Sequence, residues 1–139
     1  MILHSWTDPD SKLVVFFLRG SFTVSHTQAF LAQVDEKISA GYARLIIDLQ
    51  KVNAMDSAGI GSLLALARRL DACRGELYLS NPSAAVSRGL GLMSLEDFFQ
   101  VLPGVRDGLA TLASKTAPGV TERFEAGVRR DERLKLLVE

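Results

Sequence analysis

The chain predicts one α/β domain on a mixed, mainly parallel sheet of four to five strands, with helices packed largely on one side. Three observations lead there. Two strand-sized runs, Leu13 to Leu18 and Leu45 to Leu49, are too apolar to alternate, which is the pattern of strands covered on both faces. Between them Phe30, Leu31, Val34 and Ile38 recur at helical spacing opposite Gln33, Glu36 and Lys37. After the second run the alternation repeats, with a helix through Ile60, Leu63, Leu64, Ala67 and Leu70 and then a strand through Leu77, Tyr78 and Leu79. Strand, helix and strand joined by short connections make a βαβ unit, whose strands run parallel.

In chain order, Ile2 to Thr7 is the first strand, and Asp8-Pro9-Asp10-Ser11 carries the turn chemistry that folds it back on Lys12 to Arg19. Gly20 is expected to end that second strand. Ser25 or Thr27 stands where the next helix needs a cap, and Gly41 stops it. Arg44 to Leu70 is the centre of the chain, read as a buried strand, a tight turn and an amphipathic helix whose Arg68 and Arg69 fall toward water. Arg74-Gly75 turns the chain into a strand at Glu76 to Ser80, and Asn81-Pro82-Ser83 opens a short helix burying Val86, Leu90 and Met93. Phe98 to Leu102 reads as a last short strand and Val105 to Ala113 as a closing helix.

A length of 139 residues suits one domain with a substantial core. Acidic and basic residues number 16 each, so global charge makes no case for nucleic acid or an anionic membrane as a direct partner. The one cysteine, Cys73, excludes an internal disulfide and a multi-cysteine metal site, fits a reducing cytoplasm, and is expected to be semi-buried. Met1 to Trp6 lacks the build of a secretory signal, and no apolar run has the length of a membrane span. Pro118 and Gly119 mark a domain edge within Ser114 to Gly119, leaving 1–113 as the domain and 114–139 as a charged C-terminal extension. That extension is either a solvated helix or partly disordered tail, or an amphipathic helix that covers the domain or docks on a partner.

Ser57 lies at the hinge between the central strand and its helix. A hydroxyl there can accept from one of the helix's first unpaired amides, and a phosphate on it would meet the positive end of the helix dipole. The flanking Gly59 and Gly61 bear no side chain, which either lets a partner's backbone come close or eases the helix onto the sheet. Asp56 is a turn former that can hold the local backbone, and Asp48 is expected at a strand end near the same face.

Asp48, Val52, Asp56-Ser57-Ala58-Gly59-Ile60-Gly61, Leu63 and Leu64, followed by Gly75-Glu76-Leu77 and Asn81-Pro82-Ser83, together resemble the STAS family, most closely its bacterial anti-sigma factor antagonists. The resemblance runs from about Leu13 to Ala113 and implies an STAS-like fold. It implies a protein that binds an anti-sigma factor serine kinase and thereby releases a sigma factor. In the family the serine after the aspartate is phosphorylated by that kinase and restored by a PP2C-type phosphatase, so Ser57 is the implied phosphorylation site. The implied partner surface comprises Asp56, Ser57, Ala58, Gly59, Ile60 and Gly61, with Ser21 and Thr23. At the last two positions the family usually carries acids, and this chain carries hydroxyls. A constitutive STAS subunit of a lipid-transport ABC complex is the alternative, and a homodimer is compatible with either.

Other chemistries find little footing. His4 and His26 have no carboxylate or cysteine at ligand spacing, so no metal is expected. Met55 stands where a G-x-S-x-G elbow needs its first glycine, and Gly59-Ile60-Gly61-Ser62 lacks the lysine of a phosphate-binding loop. No catalytic residue and no cofactor are assigned.

Overall fold

The computed structural model describes residues 1–139. Five strands form one sheet in chain order: β1 (Ile2–Asp8), β2 (Leu13–Phe22), β3 (Arg44–Met55), β4 (Glu76–Ser80) and β5 (Gln100–Leu102). β1 runs antiparallel to β2 across a 3-10 turn at Pro9–Ser11, and the remaining pairs are parallel. The helices are α1 (Thr27–Ser39), α2 (Ser57–Ala72), α3 (Ala84–Leu92), α4 (Val105–Thr111), α5 (Val120–Arg130) and α6 (Glu132–Val138). No helix is long and apolar enough to cross a membrane.

Alternation along β2 and β3 divides the core in two. Val14, Phe16, Leu18, Leu45, Ile47 and Leu49 point to the face covered by α1, α2 and α3, whose Phe30, Val34, Ile60, Leu63, Leu66 and Val86 meet them. Leu13, Val15, Phe17 and Ile46 point the other way, toward Leu109 of α4, Phe124 of α5 and Leu134 and Leu137 of α6. Within 1–113, three of the four helices therefore share one face. The extension contributes two more helices to the opposite face, and its apolar residues join that core directly.

Several local expectations are corrected. Gly20 does not end β2: it adopts φ +92° where the pairing with β3 shifts register, and the ladder resumes at Ser21–Ala54 and Phe22–Met55. Neither Ser25 nor Thr27 caps α1, since His26 occupies the cap position and Thr27 Oγ1 donates to the Val24 carbonyl instead. Met93 lies just beyond the end of α3 and is 45% exposed rather than buried. Cys73, just past the end of α2, is exposed.

Candidate functional site

β3 runs straight to Met55, and one extended residue, Asp56, separates it from α2. Asp56 is the cap. Its Oδ1 accepts from the Gly59 amide at 2.9 Å, so Ser57, expected in that role, is instead the first residue of the helix. The carboxylate wins because it can reach two donors at once: Oδ2 accepts from the Val24 amide at 3.0 Å. These hydrogen bonds, from Gly59 first and then Val24, hold the Asp56 carboxyl below the usual carboxylate range. Relieved of capping, Ser57 presents its side chain on the exposed surface.

The second Asp56 bond joins elements far apart in sequence. It ties the start of α2 to the turn after β2 and so brings half-buried Thr23 toward Ser57, while half-buried Ser21 is placed there by its pairing with Ala54 of β3. The turn holds itself as well, with the His26 amide donating to the Thr23 carbonyl at 2.8 Å. At its tip Val24 is 68% exposed, a large apolar side chain left in water beside the serine's helix. Sequence reasoning did not find Val24. Nothing in its neighbourhood signals a role, because its link to Asp56 spans 32 residues.

The six residues of the Asp56–Gly61 segment divide by accessibility. Ser57 and Gly61 are exposed, and Asp56 and Ala58 are half-exposed. Gly59 and Ile60 are buried and therefore offer a visitor no side-chain surface. The two glycines also answer differently to the question of why they lack a side chain. A Cβ on Gly59 would collide with the Phe22 carbonyl oxygen and press Met55 at 3.2 Å, so this glycine lets α2 sit on the strand ends. A Cβ on Gly61 would meet nothing within 4 Å. Packing demands the first glycine, and the space over the second is open to solvent.

Asp48 lies elsewhere than expected. It is mid-strand in β3, 4% exposed, and shares with Val138 of α6 the lining of a cavity on the sheet's second face. Burial pushes its carboxyl up to about 6 against hydrogen bonds from the Gln50 amide and the Ser80 hydroxyl at 3.1 Å.

Comparison with known proteins gives a consistent likeness. The STAS domain model matches residues 7–108. A Thermotoga maritima protein, crystallised as a candidate anti-sigma factor antagonist, superposes with TM-score 0.72 at 16% identity, covering 80% of this chain and 94% of that one. The anti-sigma factor antagonist SpoIIAA in its unphosphorylated form gives TM-score 0.67 at 22% identity, covering 82% and 96%. The Bacillus cell fate determinant SpoIIAA in the phosphorylated form gives 0.58 at 23%, covering 72% and 90%.

Proposed function

The chain belongs to the STAS domain family, and from that premise we propose that it is an anti-sigma factor antagonist switched by phosphorylation of Ser57. The observation that carries this reading is the exposure of Ser57 at the first position of α2, beside an aspartate that has taken over the capping. The similarity to a Bacillus antagonist solved in both phosphorylated and unphosphorylated forms supports it. In the unmodified state the surface around Ser57 carries one carboxylate, that of Asp56, whose oxygens are both satisfied by backbone amides. An anti-sigma factor serine kinase closes over Ser57, Ala58 and Gly61, with Ser21 and Thr23 at the margin.

Phosphorylation adds close to two negative charges beside Asp56, whose charge is already fixed there. The helix dipole lets the domain carry that group without unfolding, whereas an interface built around a neutral hydroxyl has to desolvate it. Every 1.4 kcal/mol of that cost weakens binding about tenfold. A PP2C-type phosphatase restores the hydroxyl and the complex.

Calorimetry with the cognate kinase and ADP tests the switch. Ser57→Ala is expected to bind like the unmodified protein and to resist regulation, and Ser57→Asp to bind about tenfold to a hundredfold more weakly. Mass spectrometry after incubation with kinase and ATP should place a single phosphate on the peptide holding Met55 to Ala58. Equal binding by Ser57→Asp and wild type defeats the switch, and would assign the surface to permanent docking, as in a constitutive subunit of a transport complex.

A further inference from the structure

On the second face of the sheet, β1 and α6 leave between them a cavity of about 380 Å³. Ile2 lies opposite Arg19 in the β1–β2 register, and Arg19, two residues beyond Phe17, shares the face that α5 and α6 cover. The facing wall comes from α6: Leu137 is buried, while Leu136 is 63% exposed and Ile2 58%, large apolar side chains that the fold leaves in water. The lining also holds two guanidinium groups, Arg19 and Arg133, and neither takes part in an ion pair. The acids of this corner are engaged already. Asp131 meets His4 Nε2 at 3.0 Å and accepts from the Arg133 and Leu134 amides, and Glu132 pairs with Lys135. A further cation, Lys51, donates to the Leu136 carbonyl at 2.7 Å, adding positive charge beside the groove.

The volume falls within the roughly 300–1,000 Å³ of small-molecule sites, and apolar walls with a few charged groups are their usual lining. We propose that this groove binds a small anionic amphiphile, an alkyl chain ending in a carboxylate. The chain lies along Ile2, Leu136 and Leu137, and the carboxylate is received by the forked donors of Arg19 and Arg133. A concave site walled by a strand and a helix fits a single chain rather than the plane of a bilayer. Arg19 excepted, the lining falls outside residues 7–108, the span that the family model matches.

Decanoate, kept below its micelle-forming concentration, is the probe, titrated into the full-length protein by calorimetry and followed by methyl NMR. One-to-one binding is expected, with shifts at the Ile2 and Leu136 methyls. The paired substitution Arg19→Ser, Arg133→Ser should weaken it about tenfold or more, and decanol should bind wild type with a similar loss. Leu136→Ser removes apolar wall from an exposed position and should weaken both ligands. Since all three side chains are exposed, the variants are expected to unfold at the wild-type temperature. Absence of decanoate binding, unchanged affinity in the arginine variant, or equal affinity for decanol overturns the proposal. Sedimentation with phosphatidylglycerol vesicles without decanoate binding also overturns it and makes the corner a membrane-docking surface.

Discussion

The two faces of the sheet are closed by different means. Under α1, α2 and α3 the cover is almost purely apolar, with Phe30 set edge-on to Phe22 at 4.9 Å and Val34, Leu63 and Val86 fully buried. Under α4, α5 and α6 the cover comes partly from a segment crowded with charge, and its hold is mixed. Phe124 stands edge-on to Trp6 at 5.0 Å, while Arg123 grips the buried Asp8 through both carboxylate oxygens at 2.8 Å and Arg106 pairs with Glu125 at 2.6 Å. A few apolar residues spaced four apart, Val120, Phe124 and Val128, thus suffice to complete a core when ion pairs at the margin hold their register. The difference also assigns roles: the extension is committed to the second face, and the start of α2 stays open.

The largest expected effect tests that commitment. Phe124→Ala removes a fully buried ring and should cost about 3–5 kcal/mol in urea unfolding, as a core substitution on the first face would. A loss below about 1 kcal/mol would mean that α5 lies loosely on the sheet, and the likeness between the two faces would break.

Asp48→Asn should act in the opposite direction. Because the folded-state value of about 6 lies above 3.8, the folded protein holds a proton that the unfolded chain has released between about pH 4 and 6. Stability is therefore greatest at the acid end of that window and falls as pH rises through it. At about 1.4 kcal/mol for each tenfold in proton affinity, the amide variant should gain about 1–3 kcal/mol at pH 7 and lose the slope. Asp8 carries the reverse sign: burial raises its carboxyl, but Arg123 and Ser11 bring it below 3.8, so its contribution holds above that value and is lost on further acidification. Urea melts of wild type and Asp48→Asn across pH 4 to 7 separate the two groups, and a slope unchanged by the substitution would clear Asp48 of the effect.

The smallest effects sharpen the contrast inside the site itself. Gly59→Ala should destabilise by about 1–3 kcal/mol through its collision with Phe22, whereas Gly61→Ala should stabilise by about 0.5–1 kcal/mol as an ordinary helix substitution. If a partner approaches the backbone at Gly61, the same substitution should weaken kinase binding while melting improves. A Gly61→Ala protein that binds as wild type would move the contact toward Val24 and Ser57.

Periodicity is a local property, so the strands and helices of the first face were legible from spacing alone, as was the helix following Asp56. Spacing does not choose the cap between Asp56 and Ser57, because both residue types cap well and the choice turns on Val24, a partner 32 residues away. Gly20 is ambiguous for a related reason, since a glycine at positive φ serves a turn and a bulge equally well, and only the pairing with β3 makes it the latter. A strand end is expected at Asp48 because the apolar run stops at Leu49, whereas β3 continues through polar Gln50 and Asn53 to Met55, held there by its pairing with Arg19 to Phe22 of β2.

By itself the amino-acid sequence determined the βαβ order, the helix that begins beyond Asp56 and the serine at its mouth, since hydrophobic period and turn chemistry act over a few neighbouring residues. Only the tertiary structure decided that the charged C-terminal extension completes the cover of the second face, that Asp56 rather than Ser57 caps α2, and that Gly59 serves packing while Gly61 faces water. Those outcomes depend on contacts between Asp8 and Arg123, Trp6 and Phe124, Val24 and Asp56, and Phe22 and Gly59, whose partners are distant along the chain and meet only once the sheet has formed.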